Sequence, residues 1–300
     1  MNAYLVEGAR GYALVDAGLH TAEAEAVLRA GLADAGIDLA DVRRVFVTHL
    51  HPDHLGMAGT LERAGAEVVM HRPEIAAARR VWAADRDEVD ATYAHFERHG
   101  MPRSVNEGMR ESWLEIGRAV DEVEEITAAG DGEELDLGGR RARLKWTPGH
   151  TDYHAVLVDA REAVLFAGDH VLPRITSNVG LYPRSRDDPL GDFLASLRKV
   201  RDLPVRRVLP AHGEPFDDLP GRVDQILAHH DARLAATVDA LGDAERDAYA
   251  VARTLFPVLR SAHEERFALA ETLAHLRHLE RAGGVVEIDG APARWRVVRS

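Results

Sequence analysis

The sequence predicts an α/β fold that carries a helical insertion and a mainly helical C-terminal tail. A strand, a loop, a helix and a second strand follow one another between residues 42 and 71, an order typical of α/β proteins. Strands resume near residue 134, and past Pro220 helical spacing replaces the strand pattern. We therefore expect one domain over residues 1–220, interrupted by an insertion at about 73–127, and a separate subdomain over 221–300.

The first 71 residues contain the elements of the first predicted sheet. Short strands are predicted at 4–6 and 12–15, and apolar residues spaced by three and four predict a helix over 21–36. A buried strand over 42–47, a helix over 55–64 and a strand over 67–71 follow. Asp16 ends the second strand, so it is either a turn-forming residue or a carboxylate that orients a neighbouring functional loop.

The predicted insertion has helical spacing on both sides of a break at residues 100–102, which indicates a helical hairpin. Its aromatic side chains include Trp82 and Trp113. They either pack as a core or line a substrate pocket beneath a lid, and the sequence leaves both interpretations open.

Strands are predicted again at 134–137, 142–146, 155–158, 163–167 and 207–209, with a helix at 190–203. A polar loop lies between 172 and 189. Its Asn178, Tyr182 and Arg184 are candidate substrate contacts, and an ordinary surface loop is an equal alternative. Three helices then precede two short strands at 285–288 and 294–298, which is the plan of a winged helix.

Seven His and Asp side chains stand at strand ends or in short glycine-flanked loops, where sites are commonly built. In an extended segment His49 and His51 point to one side, while Asp53 and His54 fall at the start of a helix, so this loop can serve two adjacent ions. Nitrogen and oxygen ligands suit zinc, manganese or iron, with zinc the most common. The full set is His49, His51, Asp53, His54, His150, Asp169 and His212.

Composition narrows the classes of function. The chain has no cysteine, so it has no disulfide, no thiolate ligand and no cysteine nucleophile. A net charge of −13 argues against nucleic acid as the main partner without excluding a local basic groove. The sequence shows neither a signal peptide nor the ~20 apolar residues that a membrane span needs. We expect a cytoplasmic protein with a small-molecule substrate, either a monomer or a homodimer.

Four segments, at residues 48–54, 147–150, 166–169 and 210–213, resemble motifs of the metallo-β-lactamase-fold hydrolases. With Asp16 as the first motif, all five motifs of that superfamily occur in order over residues 1 to about 215. The resemblance implies an αβ/βα sandwich with a dinuclear site along one edge. It also implies that His49, His51 and His150 bind one ion, that Asp53, His54 and His212 bind the other, and that Asp169 bridges them. His170 and His154 then lie close to ligands, although packing is the simpler role for each.

Two ions about 3.5–4 Å apart share a water and lower its pKa, so the resulting hydroxide attacks an acyl or phosphoryl centre without a Ser or Cys nucleophile. As a ligand implied by the resemblance, Asp53 is expected to hydrogen-bond this nucleophile, and it is the candidate residue for proton handling.

Three functions follow from these resemblances. The loop at 48–54 followed by Thr-Pro-Gly-His-Thr resembles glyoxalase II and related thioesterases, although residues 152–154 depart from their pattern; this favours hydrolysis of a small thioester or ester. The tail resembles the beta-lactamase-like protein 2 group, some of whose members cleave single-stranded RNA, yet residues 222–300 hold eleven Arg against twelve Asp and Glu. The third alternative is a winged-helix binding module on a hydrolase-derived fold.

Overall fold

The computed structural model describes residues 1–82 and 87–299, without the side chains of residues 110, 111 and 114. The chain forms two compact units. The first contains Met1–Ala83, Glu115–Ser177 and Ser196–Val223, and the second contains Ala84–Leu114, Asn178–Ala195 and Asp224–Ser300. The division into domains at residue 220 remains a prediction.

The first unit contains two five-stranded sheets. Strands β1 and β2 of the first sheet form an antiparallel hairpin, and β2 to β5 run parallel. Parallel strands are covered on both faces, which explains the uninterrupted apolar run that ends β3. In spatial order the strands are β1 (Tyr4–Gly8), β2 (Gly11–Val15), β3 (Val42–Val47), β4 (Glu67–His71) and β5 (Ile126–Ala129).

In the second sheet β6 to β9 form an antiparallel meander, and β10 returns parallel to β9 at the edge. The strands, which lie side by side in this order, are β6 (Glu134–Leu137), β7 (Arg140–Trp146), β8 (Ala155–Asp159), β9 (Val164–Gly168) and β10 (Arg207–Pro210).

The two sheets pack face to face. One apolar core joins Phe46 of the first sheet to Leu144, Leu157 and Phe166 of the second. The opposite face of the first sheet is covered by helices, in a second core that includes Val45 and Leu32. This arrangement is the sandwich that the sequence predicts. The helices of this part of the chain are α1 (Ala22–Asp34), α2 (Pro52–Leu55), α3 (Ala58–Arg63) and α4 (Arg72–Trp82).

Side-chain caps begin α9 and α10, where Asp247 and Ser261 accept backbone N–H groups. Three helices followed by an antiparallel hairpin confirm the elements predicted for the tail, and their winged-helix arrangement remains a prediction. The remaining elements are α5 (Asp87–Arg98), α6 (Arg103–Gly117), α7 (Pro189–Arg201), α8 (Leu219–Leu241), α9 (Ala248–Leu255), α10 (Ala262–Arg281), β11 (Val285–Ile288) and β12 (Arg294–Val297). Within the described ranges, no helix is both long and apolar enough to cross a membrane.

Two sequence predictions of helices need correction. The helix predicted at 55–64 is divided into α2 and α3, because the Met57 N–H donates to Gly18 O and not to a helical carbonyl. The predicted insertion extends too far: α6 ends at Gly117, and the Asp121 N–H then donates to Gly56 O. Strand β5 at 126–129 belongs to the first sheet and was missed because its Ile-Thr-Ala-Ala sequence carries little β pattern.

Candidate metal centre

The seven predicted ligands follow the carboxyl ends of four strands in the first unit. Residues 48–54 follow β3, His150 follows β7, Asp169 follows β9 and His212 follows β10. The two sheets therefore bring together side chains separated by more than 150 residues. Three groups of these side chains have ligand atoms within 4.8 Å of one another: His49 with His51 and His150, His49 with His54 and Asp169, and Asp53 with His54 and His212.

Three imidazole nitrogens converge in the first group. His51 Nδ1 lies 2.9 Å from His49 Nε2 and 2.9 Å from His150 Nε2. Burial lowers the pKa of His49, and the neighbouring imidazole of His54 lowers it further. Burial also lowers the pKa of His51 to about 3. The rings of His49 and His51 are thus neutral at pH 7 and present lone pairs, which is the form of histidine that binds a metal ion.

The second group combines one carboxylate with two imidazoles. Asp53 Oδ2 lies 3.2 Å from His212 Nε2 and 3.6 Å from His54 Nε2. Burial alone would raise the pKa of Asp53, but the hydrogen bond with His212 and the charge of His54 lower it below its usual value. Asp53 therefore stays ionised at neutral pH.

Asp169 lies between the two groups. Its Oδ1 is 3.4 Å from His54 Nε2 and 3.5 Å from His212 Nε2, while its Oδ2 is 3.4 Å from His150 Nε2. Burial would raise the pKa of this carboxyl, yet the surrounding imidazoles, His54 first, hold it well below the usual range. One carboxylate thus presents one oxygen to each group, as a bridging ligand would.

A buried hydrogen-bond network orients two of the histidines. Asp16 accepts from the Thr48 N–H at 2.8 Å, from the Thr48 hydroxyl at 3.0 Å and from His54 Nδ1 at 2.9 Å. Because the Thr48 hydroxyl donates to Asp16, its oxygen accepts from His49 Nδ1 at 3.0 Å. Both imidazoles therefore carry a proton on Nδ1 and direct Nε2, the nitrogen that would bind a metal ion, into the centre. This geometry supports the orienting role predicted for Asp16.

Unpaired buried atoms also indicate that divalent metal ions fit this centre, in addition to the ligand types. His54 Nε2 and Asp169 Oδ1 are buried, and neither has a hydrogen-bond partner among the described residues. Buried polar atoms are normally paired, because leaving one unpaired costs about 1–3 kcal/mol. Burial disfavours the charged form of His54, but the carboxylates of Asp16 and Asp169 raise its pKa above the usual value. A cation at this point would satisfy both atoms and replace that proton.

Two further histidines lie against the centre. His154 is buried, its Nδ1 lies 2.9 Å from Thr147 Oγ1, and its Nε2 accepts the Asp169 N–H at 3.3 Å. His170 is also buried, burial lowers its pKa to about 3, and the Ser196 backbone bonds to it. His154 thus fixes the backbone of the bridging residue, a contact whose only signal in the sequence is the four-residue spacing from His150.

Trp82 lies in the first unit and donates Nε1 to Leu50 O at 2.7 Å, which places it beside the loop at 48–54. The other predicted pocket residues, Asn178, Tyr182, Arg184 and Trp113, lie in the second unit.

These four make contacts within that unit. Asn178 Nδ2 donates to Glu271 Oε2 at 3.1 Å, and Arg184 pairs with Glu88 at 3.0 Å. Tyr182 packs 6.0 Å from Phe96, and the guanidinium of Arg266 lies 5.3 Å from the Trp113 ring. Their roles toward a substrate, and that of the insertion as a lid, remain predictions.

Glu74 is a buried residue at this centre that no sequence motif marks. Its Oε1 accepts the Leu50 N–H at 2.9 Å and the Thr151 hydroxyl at 2.9 Å. A glutamate in the first turn of a helix is usually an exposed capping residue, so only the fold shows that this one is buried between two histidine loops.

Comparison with known proteins agrees with this architecture. The family model of the metallo-beta-lactamase superfamily matches residues 2–212, and that of the metallo-beta-lactamase-like C-terminal domain matches residues 234–300. A metallo-beta-lactamase family protein of Thermus thermophilus is 38% identical, with a TM-score of 0.90 over 99% of this chain and 93% of that chain. A probable metallo-hydrolase of Bacillus subtilis, YqjP, is 27% identical over 92% of this chain and 86% of its own.

A shorter match links the chain to a protein with a named substrate. An atrochrysone carboxyl ACP thioesterase of Claviceps purpurea is 32% identical over 37% of this chain and 34% of its own length.

Proposed function

The chain belongs to the metallo-beta-lactamase superfamily, and from that membership we propose that it is a dinuclear hydrolase of a small thioester or ester. The observation that carries the proposal is the pair of ligand groups, one of three histidines and one of Asp53, His54 and His212, with Asp169 between them. Zinc is the first choice of metal because nitrogen donors predominate, and manganese or iron fits the same donors.

When bound, two divalent ions supply a water of lowered pKa and polarise the acyl oxygen. The residues around them set the conditions for that chemistry. Thr48 and Asp16 hold the rings of His49 and His54 through their Nδ1 atoms, so the Nε2 atoms already face the centre and need no reorientation.

Asp53 is the proposed proton acceptor. Its side chain is 30% exposed, whereas that of His54 is fully buried, so the carboxylate reaches the solvent side of the centre. Because the pKa of Asp53 is lowered, the group is ionised at neutral pH and its oxygens accept hydrogen bonds only. We propose that one of them orients the attacking water and takes its proton.

The thioester or ester is favoured over RNA on two grounds. A thioesterase is among the relatives, and the chain carries a net charge of −13, which opposes binding of a phosphate backbone. RNA remains the competing substrate, because a beta-lactamase-like protein 2 homolog of Caenorhabditis elegans is 32% identical over 41% of this chain and 39% of its own length.

Metal analysis and a substrate panel test the proposal together. Purified chain from zinc-supplemented expression should hold about two ions, and chelation should abolish hydrolysis. Short acyl thioesters, esters and lactones should be assayed beside a labelled single-stranded RNA. Well under one ion per chain, with activity that survives chelation, would contradict a metal-dependent enzyme.

Variants then locate the activity. Asp53→Ala should lower kcat by roughly 10²- to 10⁴-fold, the usual contribution of a positioned proton acceptor. Asp217→Asn, which removes an exposed ion pair with Arg207, is the matched control and should be active. RNA cleavage that is lost in Asp53→Ala, without any esterase activity in the wild type, would favour the nuclease.

A further inference from the structure

Side chains of helix α4 hydrogen-bond to both the N–H and the carbonyl of one residue in the loop at 48–54. Leu50 stands between His49 and His51, and its N–H donates to Glu74 Oε1 at 2.9 Å. Its carbonyl accepts from Trp82 Nε1 at 2.7 Å. Glu74 and Trp82 lie two turns apart on α4, so both project from one face of a rigid element.

The same carboxylate also reaches the second histidine loop. Glu74 Oε1 accepts from the hydroxyl of Thr151 at 2.9 Å, and Thr151 directly follows His150. A single oxygen therefore joins the residue between His49 and His51 to the residue after His150. These three histidines come from loops about 100 residues apart, and they form the first ligand group.

Retaining a carboxylate here works against stability. Glu74 is fully buried, and burial raises its pKa to about 7 although two backbone N–H groups and a hydroxyl favour the ionised form. Burying a carboxyl is costly, and an apolar side chain in the same place would avoid that cost. A residue of this kind is expected where it serves the site.

We propose that Glu74 and Trp82 are positioning residues that clamp the Leu50 peptide and the Thr151 hydroxyl, and so hold the three histidines at the spacing required by one of the two ions. The inference rests on the proposed function, since it takes those histidines as ligands. The three hydrogen bonds of the clamp end on Leu50 and Thr151, which adjoin ligands of the first group, so the clamp acts on that ion and not on the other.

Zinc binding by the metal-stripped full chain, measured against a chromophoric chelator, distinguishes a clamp from a merely structural role. Glu74→Ala should weaken the binding of one of two zinc ions by up to roughly 10- to 100-fold, the range for outer hydrogen-bonding residues of metal sites, and leave the binding of the other unchanged. Glu74→Gln keeps an acceptor oxygen and should recover most of the affinity. Trp82→Phe keeps an aromatic ring, loses the donor, and should have a smaller effect on the same ion.

Glu62→Gln is the matched control. Glu62 also accepts two backbone N–H groups, from Glu124 and Glu125, but neither adjoins a ligand. Its variant should bind both ions as the wild type does. The clamp alone would be overturned if Glu74→Ala bound both zinc ions as tightly as the wild type. It would also be overturned if Glu74→Ala and Glu74→Gln each bound both ions more weakly and to the same extent. A wild-type chain that binds no zinc would overturn the proposed function and the clamp together.

Discussion

His54 donates its Nδ1 proton to Asp16 Oδ2 across 2.9 Å, and both side chains are almost completely buried. Asp16 also has a backbone φ of +65°, a left-handed conformation that non-glycine residues rarely adopt. The strain is retained at a position whose carboxylate accepts three hydrogen bonds, two of them from Thr48. Strain kept at such a point indicates a functional demand on the side chain.

Asp16→Asn should therefore lower the metal affinity of the chain by roughly 10- to 100-fold. Asn tolerates the left-handed backbone, so the variant changes the side chain and adds no strain. The variant removes the negative charge and places an NH₂ group where Asp16 accepts hydrogen bonds from Thr48 and His54. Because His54 Nδ1 then loses its acceptor, the tautomer of His54 is no longer fixed. Competition with a zinc chelator gives the affinity. Unchanged zinc binding in this variant would contradict the orienting role of Asp16.

Gly168 precedes the bridging Asp169, and its substitution should disrupt the centre. Its φ is +50°, and an added Cβ would lie 2.7 Å from His154 Nε2 and 2.9 Å from Thr48 Oγ1. Gly168→Ala should lower the free energy of unfolding by roughly 1–3 kcal/mol and weaken zinc binding as well. Urea denaturation and metal titration measure the two effects.

Gly36→Ala separates backbone strain from crowding. Gly36 has a φ of +76°, but an added Cβ meets nothing within 4 Å. This variant should lose stability through the backbone alone, by about 1–2 kcal/mol, and bind zinc normally. If Gly168→Ala behaved in the same way as Gly36→Ala, the contact with His154 would have no part in the site.

The seven candidate ligands could be predicted because short sequence motifs contain them. His49, His51, Asp53 and His54 fall in one loop, and each of the others follows a predicted strand and lies beside a glycine. Strand β3 could also be predicted, since it ends in the apolar run Val45-Phe46-Val47 directly before the histidine loop. The sequence pattern was sufficient to predict those elements and residues whose structure is determined by their neighbours in the sequence.

The supporting residues could not be predicted, because their roles depend on the packing of distant segments. Glu74 has no distinguishing pattern in the sequence, and Trp82 was predicted only as a core or pocket aromatic; their contacts with Leu50 appear once α4 is placed beside the loop at 48–54. Strand β5 lacked a pattern of its own and is defined by its pairing with β4. Such pairings depend on tertiary context more than on the propensity of the segment itself.

Stability should depend on the protonation of Glu74. Burial raises its pKa from 4.5 to about 7, so the native chain binds more protons than the unfolded chain between these values. The free energy of unfolding contributed by this group therefore falls as pH rises from 4.5 to 7, by on the order of 3 kcal/mol. Glu74→Gln cannot ionise and should lack that fall.

Urea denaturation of the metal-free wild type and Glu74→Gln from about pH 4.5 to 8 checks this dependence. The stability of the variant relative to the wild type should increase with pH. Parallel curves for the two proteins would contradict the raised pKa of Glu74.

The second unit should be sensitive to acid because of a buried histidine pair. His230 and His275 stack with ring centroids 5.5 Å apart, and His230 Nδ1 lies 3.3 Å from His275 Nε2. His275 Nδ1 donates to Glu271 O at 2.8 Å, so its Nε2 accepts from His230 and both rings are neutral. Burial, with the neighbouring imidazole and Arg233, lowers the pKa of His230 to about 3, and burial lowers that of His275 to about 4.

The unfolded chain therefore binds more protons than the native chain below about pH 6.5, and stability is lost as pH falls from about 6.5 toward 4. Each histidine contributes a slope of up to about 1.4 kcal/mol per pH unit. His230→Asn keeps a donor toward His275 and removes one titrating group. It should therefore reduce the slope of stability against pH by up to about 1.4 kcal/mol per pH unit. If His230→Asn and the wild type lost the same stability on acidification, the pair of His230 and His275 would not control the acid sensitivity of this unit.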